Sequence, residues 1–395
     1  MPLIDCLAIS HKISHNIPMI KDIMTFYKDK RVLVTGHTGF KGSWMTALLL
    51  MAGARVTGYA LRPETKPSLF ELLGFDGYDD GQGEYGGSLH NIYADIRDLG
   101  ALKEAFDEAK PEIVIHMAAQ PIVRTSYKDP VGTYETNVMG TVNLLECCRL
   151  TPSVKSIINV TTDKVYRNTE REEGYREDEE LCGYDPYSNS KSCSELVSDC
   201  YRNSFLNDLG ASVTTMRAGN VIGGGDFATD RIIPDCVRAA VKGEDIIVRN
   251  PYSTRPYQHV LEPVICYLRV AAEQYSHPEI KGCYNIGPDD SDAVTTAQIA
   301  TMFCDLWNGM GSDEAGGPAG YHKIKWINKS DGGPHEAGFL KLDCTRIKEK
   351  LGWRPVWNID RAMKELVEWY GVYASGRDIC EVTRRQIGTY ISEIR

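Results

Sequence analysis

The sequence predicts an α/β fold in which a doubly wound parallel sheet carries helices on both faces. Three observations support this prediction. Short apolar segments alternate with longer helical ones, a glycine-rich turn follows the first apolar segment, and the alternation stops after Arg217. Alternating strands and helices are typical of parallel sheets, because parallel neighbours need a crossover connection. A chain of 395 residues is long enough for such a sheet and a second lobe.

Six strands are predicted in chain order, each a short run rich in aliphatic and β-branched residues. They are RVLVTG (31–36), RVTGYAL (55–61), NIYADI (91–96), IVIHMAA (113–119), SIINVTT (156–162) and SVTTMR (212–217). A helix, SWMTALLLMAG, follows the first strand, and another is expected to begin near Pro186. We therefore predict one domain over residues 31–217.

Two further regions flank this domain. Residues 1–30 precede the first strand and are predicted to be an N-terminal extension. Residues 218–395 contain Gly, Pro and charged stretches such as GNVIGGGDFATDR and RNPYSTRPYQHVLEP, and DEAGGPAGYHK (313–323) is typical of an exposed loop. We predict that 218–395 form a smaller C-terminal α/β lobe that mainly binds substrate, with segments returning to the first domain.

Composition excludes several classes of protein. The 44 Lys+Arg against 54 Asp+Glu give a net charge of -10 without a long basic run, so nucleic-acid binding is disfavoured. No secretory signal or twenty-residue apolar run is present, which argues against a membrane protein. The 12 cysteines are scattered without a CxxC pair. We therefore expect no metal site and a reducing, cytoplasmic setting.

The glycine turn TGHTGFKG places Gly36, Gly39 and Gly42 between the first strand and its helix. In such a turn the backbone amides can face a pyrophosphate, so we predict dinucleotide binding. A plain tight turn between strand and helix is the alternative. A Walker A loop is excluded, because Lys41 precedes Gly42 rather than following it.

The choice between NAD and NADP stays open at the second strand. Dinucleotide folds often carry an acidic residue about 20 positions after the glycines, whereas this strand ends at Arg62, which could meet a 2'-phosphate or be solvated. Asp95, at the end of the third strand, could accept a hydrogen bond from adenine or be a solvated loop carboxylate. The other predicted cofactor contacts flank the turn and the third and fourth strands: Thr38, Phe40, Ile96, Ala118 and Ala119.

Tyr187 and Lys191 in YDPYSNSK are four residues apart on a predicted helix, so both project from one face. A phenol has a pKa of about 10, and a nearby ammonium lowers it, so the pair can accept a proton from a sugar hydroxyl. An ordinary surface Tyr and Lys are the alternative.

The stretch TTDK, with Thr162, Asp163 and Lys164, places a hydroxyl, a carboxylate and an ammonium at the end of a strand. It could instead be an N-cap beside a surface lysine.

Several separate motifs together resemble a known family. TGHTGFKG, MAAQP, TNVMGT, TTDKVY, YDPYSNSK and RAGNVIGGGD look like the extended short-chain dehydrogenase/reductase superfamily. Within it, HTGFKGSW, RNPYSTRPYQHVLEP and PHEAGFLKLDC resemble CDP-glucose 4,6-dehydratases, from about Arg31 to the C-terminus. The resemblance implies a Rossmann-type fold, tightly held NAD, a homo-oligomer (dimer or tetramer) paired through two helices, and conversion of CDP-D-glucose to CDP-4-keto-6-deoxy-D-glucose and water.

The resemblance also implies roles for the site residues. Tyr187 would take the 4-hydroxyl proton as the C4 hydride passes to the nicotinamide, Lys191 would bind the nicotinamide ribose, and Thr162 would bond the 4-oxygen. Asp163 and Lys164 would serve the elimination across C5 and C6. In dTDP-glucose dehydratases the stretch reads Thr-Asp-Glu, so the base cannot be carried over. Lys164 either removes the C5 proton or stabilises an enolate.

The predicted substrate contacts are more scattered. Asn220, Arg231 and Arg255 match the family's nucleotide-binding positions, and an Arg fork suits a diphosphate. Gln120, beside the cofactor crevice, could meet either ligand, and His259 is a possible contact from the substrate lobe. His116, at the end of an apolar strand, is predicted to be a core histidine.

Three other functions stay open at this stage. A nucleotide-sugar 4-epimerase also needs Thr, Tyr and Lys but has no use for an acid and a base at C5 and C6. A 4,6-dehydratase acting on GDP-mannose or dTDP-glucose would share the same catalytic residues. A non-catalytic NAD-sensing scaffold would keep the fold alone.

Overall fold

The computed structural model describes residues 23–78, 85–310, 322–329 and 339–394. Most of the predicted N-terminal extension (1–22), nearly all of the predicted exposed loop at 313–323, and the first half of PHEAGFLKLDC therefore lie outside the described residues. Residues 23–27 of the predicted extension form a short helix. The Tyr27 side chain is buried there, and its hydroxyl donates to the carbonyl oxygen of Leu268 at 2.7 Å.

Twelve strands occur in the described residues. They are β1 (Arg31–Thr35), β2 (Arg55–Ala60), β3 (Ser88–Tyr93), β4 (Ile113–His116), β5 (Ser156–Val160), β6 (Ser212–Ala218), β7 (Asn220–Ile222), β8 (Ile246–Val248), β9 (Thr254–His259), β10 (Cys283–Ile286), β11 (Ala293–Thr295) and β12 (Trp326–Asn328). Seven of them form one parallel sheet in the order β3-β2-β1-β4-β5-β6-β10. The strand order reverses beside β1, which makes the β1/β4 edge the switch point where doubly wound sheets bind ligands. The predicted fold class is confirmed.

Fourteen α-helices surround the sheets in the described part of the chain. They are α1 (Ile23–Tyr27), α2 (Phe40–Met51), α3 (Leu69–Leu72), α4 (Leu99–Ala109), α5 (Val123–Lys128), α6 (Pro130–Tyr134), α7 (Gly140–Leu150), α8 (Pro186–Tyr201), α9 (Ile232–Lys242), α10 (Leu261–Ser276), α11 (Thr296–Met310), α12 (Thr345–Leu351), α13 (Ile359–Ala374) and α14 (Ile379–Glu393). A π-helical turn, Glu135–Met139, joins α6 to α7.

Both faces of the main sheet are buried, which explains its nearly continuous apolar strands. Along β1 the side chains alternate between the two faces. Leu33 packs with Val114 and Leu144 on one face, whereas Val32 and Val34 join the larger core on the other.

Two strand predictions needed correction. The third strand is Ser88–Tyr93 rather than 91–96, because it pairs with Arg55–Ala60 from Ser88 onward and turns at Asp95. The seventh strand, Cys283–Ile286, comes from the C-terminal region and pairs with β6. Only four residues long, it carries no alternation of its own that would predict it.

The remaining strands build the smaller lobe. A three-stranded sheet has the order β11-β9-β7, and β8 pairs with β12. This lobe faces the C-terminal ends of the main strands, because β7 follows β6 after a single residue. None of the described helices is both long and apolar enough to cross a membrane.

Candidate active site

The glycine turn is shaped by two close backbone approaches. Gly36 has φ +73°, and a Cβ there would lie 2.7 Å from the amide nitrogen of Ala118 at the end of β4. A Cβ on Gly42 would lie 2.1 Å from the carbonyl oxygen of Gly36. Neither position can carry a side chain without moving the backbone.

The helix that follows offers uncapped amides. Gly39 is the N-cap of α2, contributes no side-chain hydrogen bond, and is exposed. A Cβ at Gly39 would contact only the Gly36 carbonyl oxygen, at 3.4 Å. Because glycine has no side chain, this residue leaves the space in front of the helix N-terminus open. A helix N-terminus with this open approach fits a pyrophosphate.

The other predicted cofactor residues lie around this turn, and several are already engaged. Thr38 donates its hydroxyl to the Leu61 carbonyl at 2.8 Å. The Asp95 carboxylate is bound by the Arg97 side chain, with one contact at 2.7 Å, and this interaction lowers the Asp95 pKa. The Arg62 guanidinium lies 4.1 Å from the Tyr93 ring centroid.

Three more of the predicted cofactor residues are small or apolar. Ala118 and Ala119 follow β4, at the switch point, and Ile96 is buried against Gly140. The Phe40 ring is directed toward the smaller lobe, since a Cβ on Gly223 would lie 3.3 Å from it.

The predicted Tyr-Lys helix is confirmed as α8. Asp185 caps it by accepting a hydrogen bond from the Ser188 amide, and Pro186 occupies the first turn. Tyr187 is partly exposed and Lys191, one turn later, is buried. The Lys191 ammonium donates to the Val160 carbonyl at the end of β5, at 3.1 Å.

The electrostatics of this pair differ from the prediction. Burial raises the pKa of Tyr187 to about 12, although a hydrogen bond with Thr162 and the charge of Arg231 act to lower it. Burial also lowers the pKa of Lys191 to about 7, with a further contribution from Lys41. The lowered phenol pKa expected from Lys191 is not found, because burial raises the pKa of Tyr187 more than Thr162 and Arg231 lower it.

Thr162, Asp163 and Lys164 follow β5 and are linked by hydrogen bonds. Asp163 is buried, and its Oδ1 accepts from Thr162 Oγ1 at 2.9 Å and from Lys164 Nζ at 2.9 Å. Its Oδ2 is also buried and has no hydrogen-bond partner among the described residues. Thr162 also bonds Tyr187, so the opening stretch and the Tyr-Lys helix form one cluster.

Residues of the smaller lobe reach the same cluster. Arg231 pairs with Asp226 at 3.0 Å and is close enough to Tyr187 to affect its pKa. Asn220 is hydrogen-bonded to Tyr257, whose pKa is affected by the charge of Arg255. Asn220 and Arg255 therefore lie together in the smaller lobe, on β7 and β9.

The side chains of three polar residues considered in the sequence make their contacts within the protein. Gln120 accepts from the Ile122 amide at 2.6 Å and donates to Thr133 at 2.9 Å. His259 is fully buried between Trp44 and Trp357, with ring centroids 5.9 and 4.8 Å away. His116, bonded to Thr35 at 2.7 Å, is confirmed as a core histidine.

A buried ion pair behind the site was missed. Glu195 and Arg217 are both 3% exposed and 2.9 Å apart, and Glu195 also accepts from Thr215 at 2.6 Å. Glu195 lies one turn after Lys191, in the series 187, 191, 195, so helical spacing alone could have indicated it. Its carboxylate charge favours the protonated form of Lys191 and so raises that pKa.

Comparison with known proteins gives matches along most of the chain. A family model described as GDP-mannose 4,6 dehydratase matches residues 33–366. The CDP-glucose 4,6-dehydratase of Salmonella typhimurium is 44% identical over 373 residues, which cover 93% of this chain and 98% of that protein.

Two solved structures extend the comparison to the fold. A dTDP-glucose 4,6-dehydratase from Streptomyces venezuelae, with NAD and TYD bound, has a TM-score of 0.69 at 22% identity and covers 88% of this chain and 99% of its own. An epimerase from Methanothermobacter thermautotrophicus has a TM-score of 0.72 at 20% identity, over 94% of this chain and 99% of its own. At these identities the two structures show the shared fold.

Proposed function

This chain belongs to the GDP-mannose 4,6 dehydratase family, and from that premise we propose that it is a CDP-glucose 4,6-dehydratase. The observation that carries the reaction type is the linked cluster of Tyr187, Thr162, Asp163 and Lys164. A 4-epimerase needs no acid and base beside the Tyr-Thr pair. The choice of CDP-glucose follows from the 44% identical relative, which spans nearly the full chain.

The cofactor is NAD, which, when bound, accepts a hydride from C4 of the sugar and returns it to C6. The glycine turn supports this proposal, because Gly36 and Gly42 admit no side chain and Gly39 leaves the helix N-terminus open. Lys191 would hold the nicotinamide ribose, and Asp95 and Arg62 would border the adenosine. The Arg62 side chain already contacts Tyr93 and Asp76, which favours a cofactor without a 2'-phosphate.

In the oxidation, Tyr187 receives the proton of the 4-hydroxyl. Thr162 and the Arg231 charge stabilise its phenolate against the effect of burial. Tyr187 is hydrogen-bonded to Thr162 and Thr162 to Asp163, so the oxidation and the elimination take place in one connected cluster, and Tyr187 holds the 4-hydroxyl proton while Asp163 remains a carboxylate. The 4-ketone that forms acidifies the C5 proton.

In the elimination, Asp163 and Lys164 change charge together. The ammonium of Lys164 lies 2.9 Å from the Asp163 carboxylate. Transfer of one proton along this contact leaves a neutral amine and a carboxylic acid. The amine can then take the C5 proton while the acid protonates the 6-hydroxyl, so the C6–O bond breaks and water leaves.

The nucleotide would bind to the smaller lobe. Asn220, Arg231 and Arg255 are proposed to hold the nucleoside diphosphate, and Arg231 stands between that lobe and Tyr187. Gln120 and His259 would act indirectly, by holding the β4 turn and the β9 strand in place.

We also propose a homo-oligomer that pairs through α6, α8 and the π-helical turn. These elements expose large apolar side chains: Val131 is 67%, Met139 50% and Leu196 57% exposed. Exposed apolar surface of this kind on adjacent helices favours association. A cytoplasmic location agrees with the described cysteines, which are all free thiols.

The substrate assay that tests this function uses three sugar nucleotides. The purified protein is incubated with CDP-glucose, dTDP-glucose or GDP-mannose without added reductant, and the product is followed by the absorbance of the 4-keto sugar in base and by loss of one water in mass spectrometry. A keto product from CDP-glucose is expected. A protein that binds NAD but removes water from none of the three would refute the dehydratase assignment.

A further inference from the structure

The acid and the base of the proposed elimination lie on a short turn that follows β5. The strand ends at Val160, and Asp163–Val165 form a single 3₁₀ turn. We call residues 161–166 the elimination turn. A 3₁₀ turn of three residues has few hydrogen bonds of its own. The positions of Asp163 and Lys164 therefore depend on the groups that hold the two ends of this turn.

The first end of the elimination turn is held by Glu195 of α8. Thr161 donates its hydroxyl to Glu195 Oε1, and the Thr161 amide donates to the Met216 carbonyl at 2.9 Å. The other carboxylate oxygen of Glu195, Oε2, accepts from Arg217 at 2.9 Å. One carboxylate therefore connects the start of the turn to β6.

The second end of the elimination turn is held through a tyrosine hydroxyl. Arg217 Nη1 donates to Tyr166 Oη at 2.6 Å, and the Tyr166 hydroxyl donates in turn to Asn285 Oδ1 at 2.7 Å. The Asn285 amide group is itself fixed, because it donates to the carbonyls of Tyr175 and Asp343 at 2.7 and 3.0 Å. Tyr166 is therefore tied to both β6 and β10.

The buried ion pair thus connects the two ends of the elimination turn. Hydrogen bonds link Thr161 to Glu195, Glu195 to Arg217 and Arg217 to Tyr166, and the backbone of the turn closes the ring. All four side chains are at most 4% exposed, so water does not compete for these bonds. Hydrogen bonds in such a low-dielectric interior are stronger than in water. The ring therefore fixes where the turn begins and ends.

The elimination turn also sets the place of the acid relative to the smaller lobe. Asp163 Oδ2 lies 3.5 Å from the position that a Cβ on Gly219 would take. Asp163 Oδ1 accepts from Lys164 Nζ at 2.9 Å, so the acid and the base move together with the turn. Displacement of a reacting group by about 1 Å can slow a reaction about a hundredfold.

The groups of the oxidation have a support of their own. Tyr187 and Lys191 lie near the start of α8, which Asp185 caps. The Lys191 ammonium is bonded to the carbonyl of Val160, which belongs to β5 and not to the elimination turn. Loosening the second end of the turn should therefore slow the elimination more than the oxidation.

The middle of the elimination turn has a separate support. The Val165 carbonyl accepts from Ser192 Oγ at 2.7 Å and from the Cys182 amide at 2.8 Å. These bonds do not involve the Tyr166 hydroxyl. A protein without that hydroxyl should therefore keep the turn but hold it less firmly.

Resting on the proposed dehydratase function, we propose that Tyr166 is a positioning residue of the elimination. Its hydroxyl, held by Arg217 and Asn285, fixes the turn on which the acid and the base lie. Because this hydroxyl is buried and already donates and accepts a hydrogen bond, it acts through the turn and not on the sugar. When the turn is loosened, C5 deprotonation slows, and the 4-keto intermediate accumulates together with the reduced cofactor.

The test compares oxidation with elimination in Tyr166→Phe, which keeps the ring stacked on Tyr175 and removes only the hydroxyl. In a single turnover of CDP-glucose by the NAD-loaded protein, the absorbance of the reduced nicotinamide rises with oxidation and decays as the hydride returns to C6. We expect the rise to slow less than about threefold and the decay about tenfold. Deuterium at C5 of the substrate should slow the decay more in the variant than in the wild type, because C5 deprotonation then limits it.

The first end of the turn gives a second test. Thr161→Val removes the hydroxyl that Glu195 accepts and should also make the reduced nicotinamide accumulate, whereas Thr161→Ser keeps a hydroxyl and should restore the wild-type decay. Tyr27→Phe is the matched control, because it removes another buried hydroxyl, which donates to the Leu268 carbonyl at 2.7 Å. It should lower the urea midpoint without accumulation of reduced nicotinamide.

Every other outcome counts against the proposal or against the function on which it rests. Wild-type kinetics in Tyr166→Phe, equal slowing of rise and decay, or an unchanged isotope effect would overturn the proposal, and so would accumulation in Tyr27→Phe. If Tyr166→Phe does not fold, as judged by its urea transition, a normal decay in Thr161→Val or a slow decay in Thr161→Ser would overturn it. A wild-type protein that forms no keto product from CDP-glucose would refute the proposed function instead.

Discussion

The buried ion pair between Glu195 and Arg217 allows a quantitative prediction about stability. Glu195 lies on α8, one turn beyond Lys191, and accepts hydrogen bonds from Thr161, Thr215 and Arg217. The substitution Glu195→Gln keeps the shape of the side chain and removes its charge. Arg217 would then remain buried with its charge uncompensated.

The cost of this change follows from the burial of both partners. Both side chains are 3% exposed, so solvent cannot screen the charge that remains. Removing one member of a buried pair costs about 3–5 kcal/mol. We expect a value near the lower limit, about 3 kcal/mol, because Arg217 still donates to Tyr166 at 2.6 Å and to the Glu177 carbonyl at 3.1 Å.

Urea unfolding at pH 7, followed by tryptophan fluorescence, measures this loss. Arg217→Met and the double variant Glu195→Gln/Arg217→Met complete a double-mutant cycle. We expect the double variant to be more stable than the sum of the single losses predicts, with a coupling of about 1–3 kcal/mol. A loss under about 1 kcal/mol in Glu195→Gln, or additive losses, would refute the reasoning.

Four further predictions concern the cofactor turn, the base, a buried carboxyl and the oligomer. Gly42→Ala should purify without nicotinamide cofactor, because its Cβ would lie 2.1 Å from a backbone oxygen. Release of nicotinamide cofactor when the purified variant is denatured would contradict this. Tyr187→Phe should show no reduced nicotinamide with CDP-glucose, and a normal absorbance signal would exclude Tyr187 as the proton acceptor. Burial raises the pKa of Glu262 to about 7, above the value of about 4.3 in the unfolded chain, so folding favours the protonated carboxyl. The stability that this contributes is fully present below about pH 4.3 and is lost as the pH rises through about 7. The urea midpoint of the wild type should therefore fall more between pH 5 and 8 than that of Glu262→Gln. If the midpoints of the two proteins change in parallel with pH, this role of Glu262 is wrong. Leu196→Asp should lower the mass found by light scattering, whereas Leu209→Asp, 54% exposed outside this face, should leave it unchanged.

The sequence predicted the strands with strong local patterns correctly. The first, second, fourth, fifth and sixth strands begin at the expected residues, and α8 begins at Pro186. The third strand was displaced, because NIYADI is apolar beyond the point where pairing with β2 ends at Tyr93. Residues 283–286 were not predicted as a strand, since their place beside β6 depends on α10 carrying the chain across the sheet.

Local spacing also determined much of the site. The glycine turn, the Tyr187-Lys191 pair and the Thr162–Lys164 stretch depend on neighbours within a few residues, where helix and turn geometry fix the arrangement. The fold alone decided which charges these groups meet. Burial raised the pKa of Tyr187 where the sequence led us to expect a lowered one.

What only the tertiary structure decided involves segments far apart in the chain. It brought the Asp226–Arg231 pair near Tyr187, enclosed His259 between two tryptophans, and buried Arg217 against Glu195. The physical reason is that burial and electrostatic interaction are sums over all neighbours in space, whereas a sequence pattern reports only neighbours along the chain. The sequence by itself therefore determined which chemical groups the site contains, and the packing of the two lobes determined how those groups are charged.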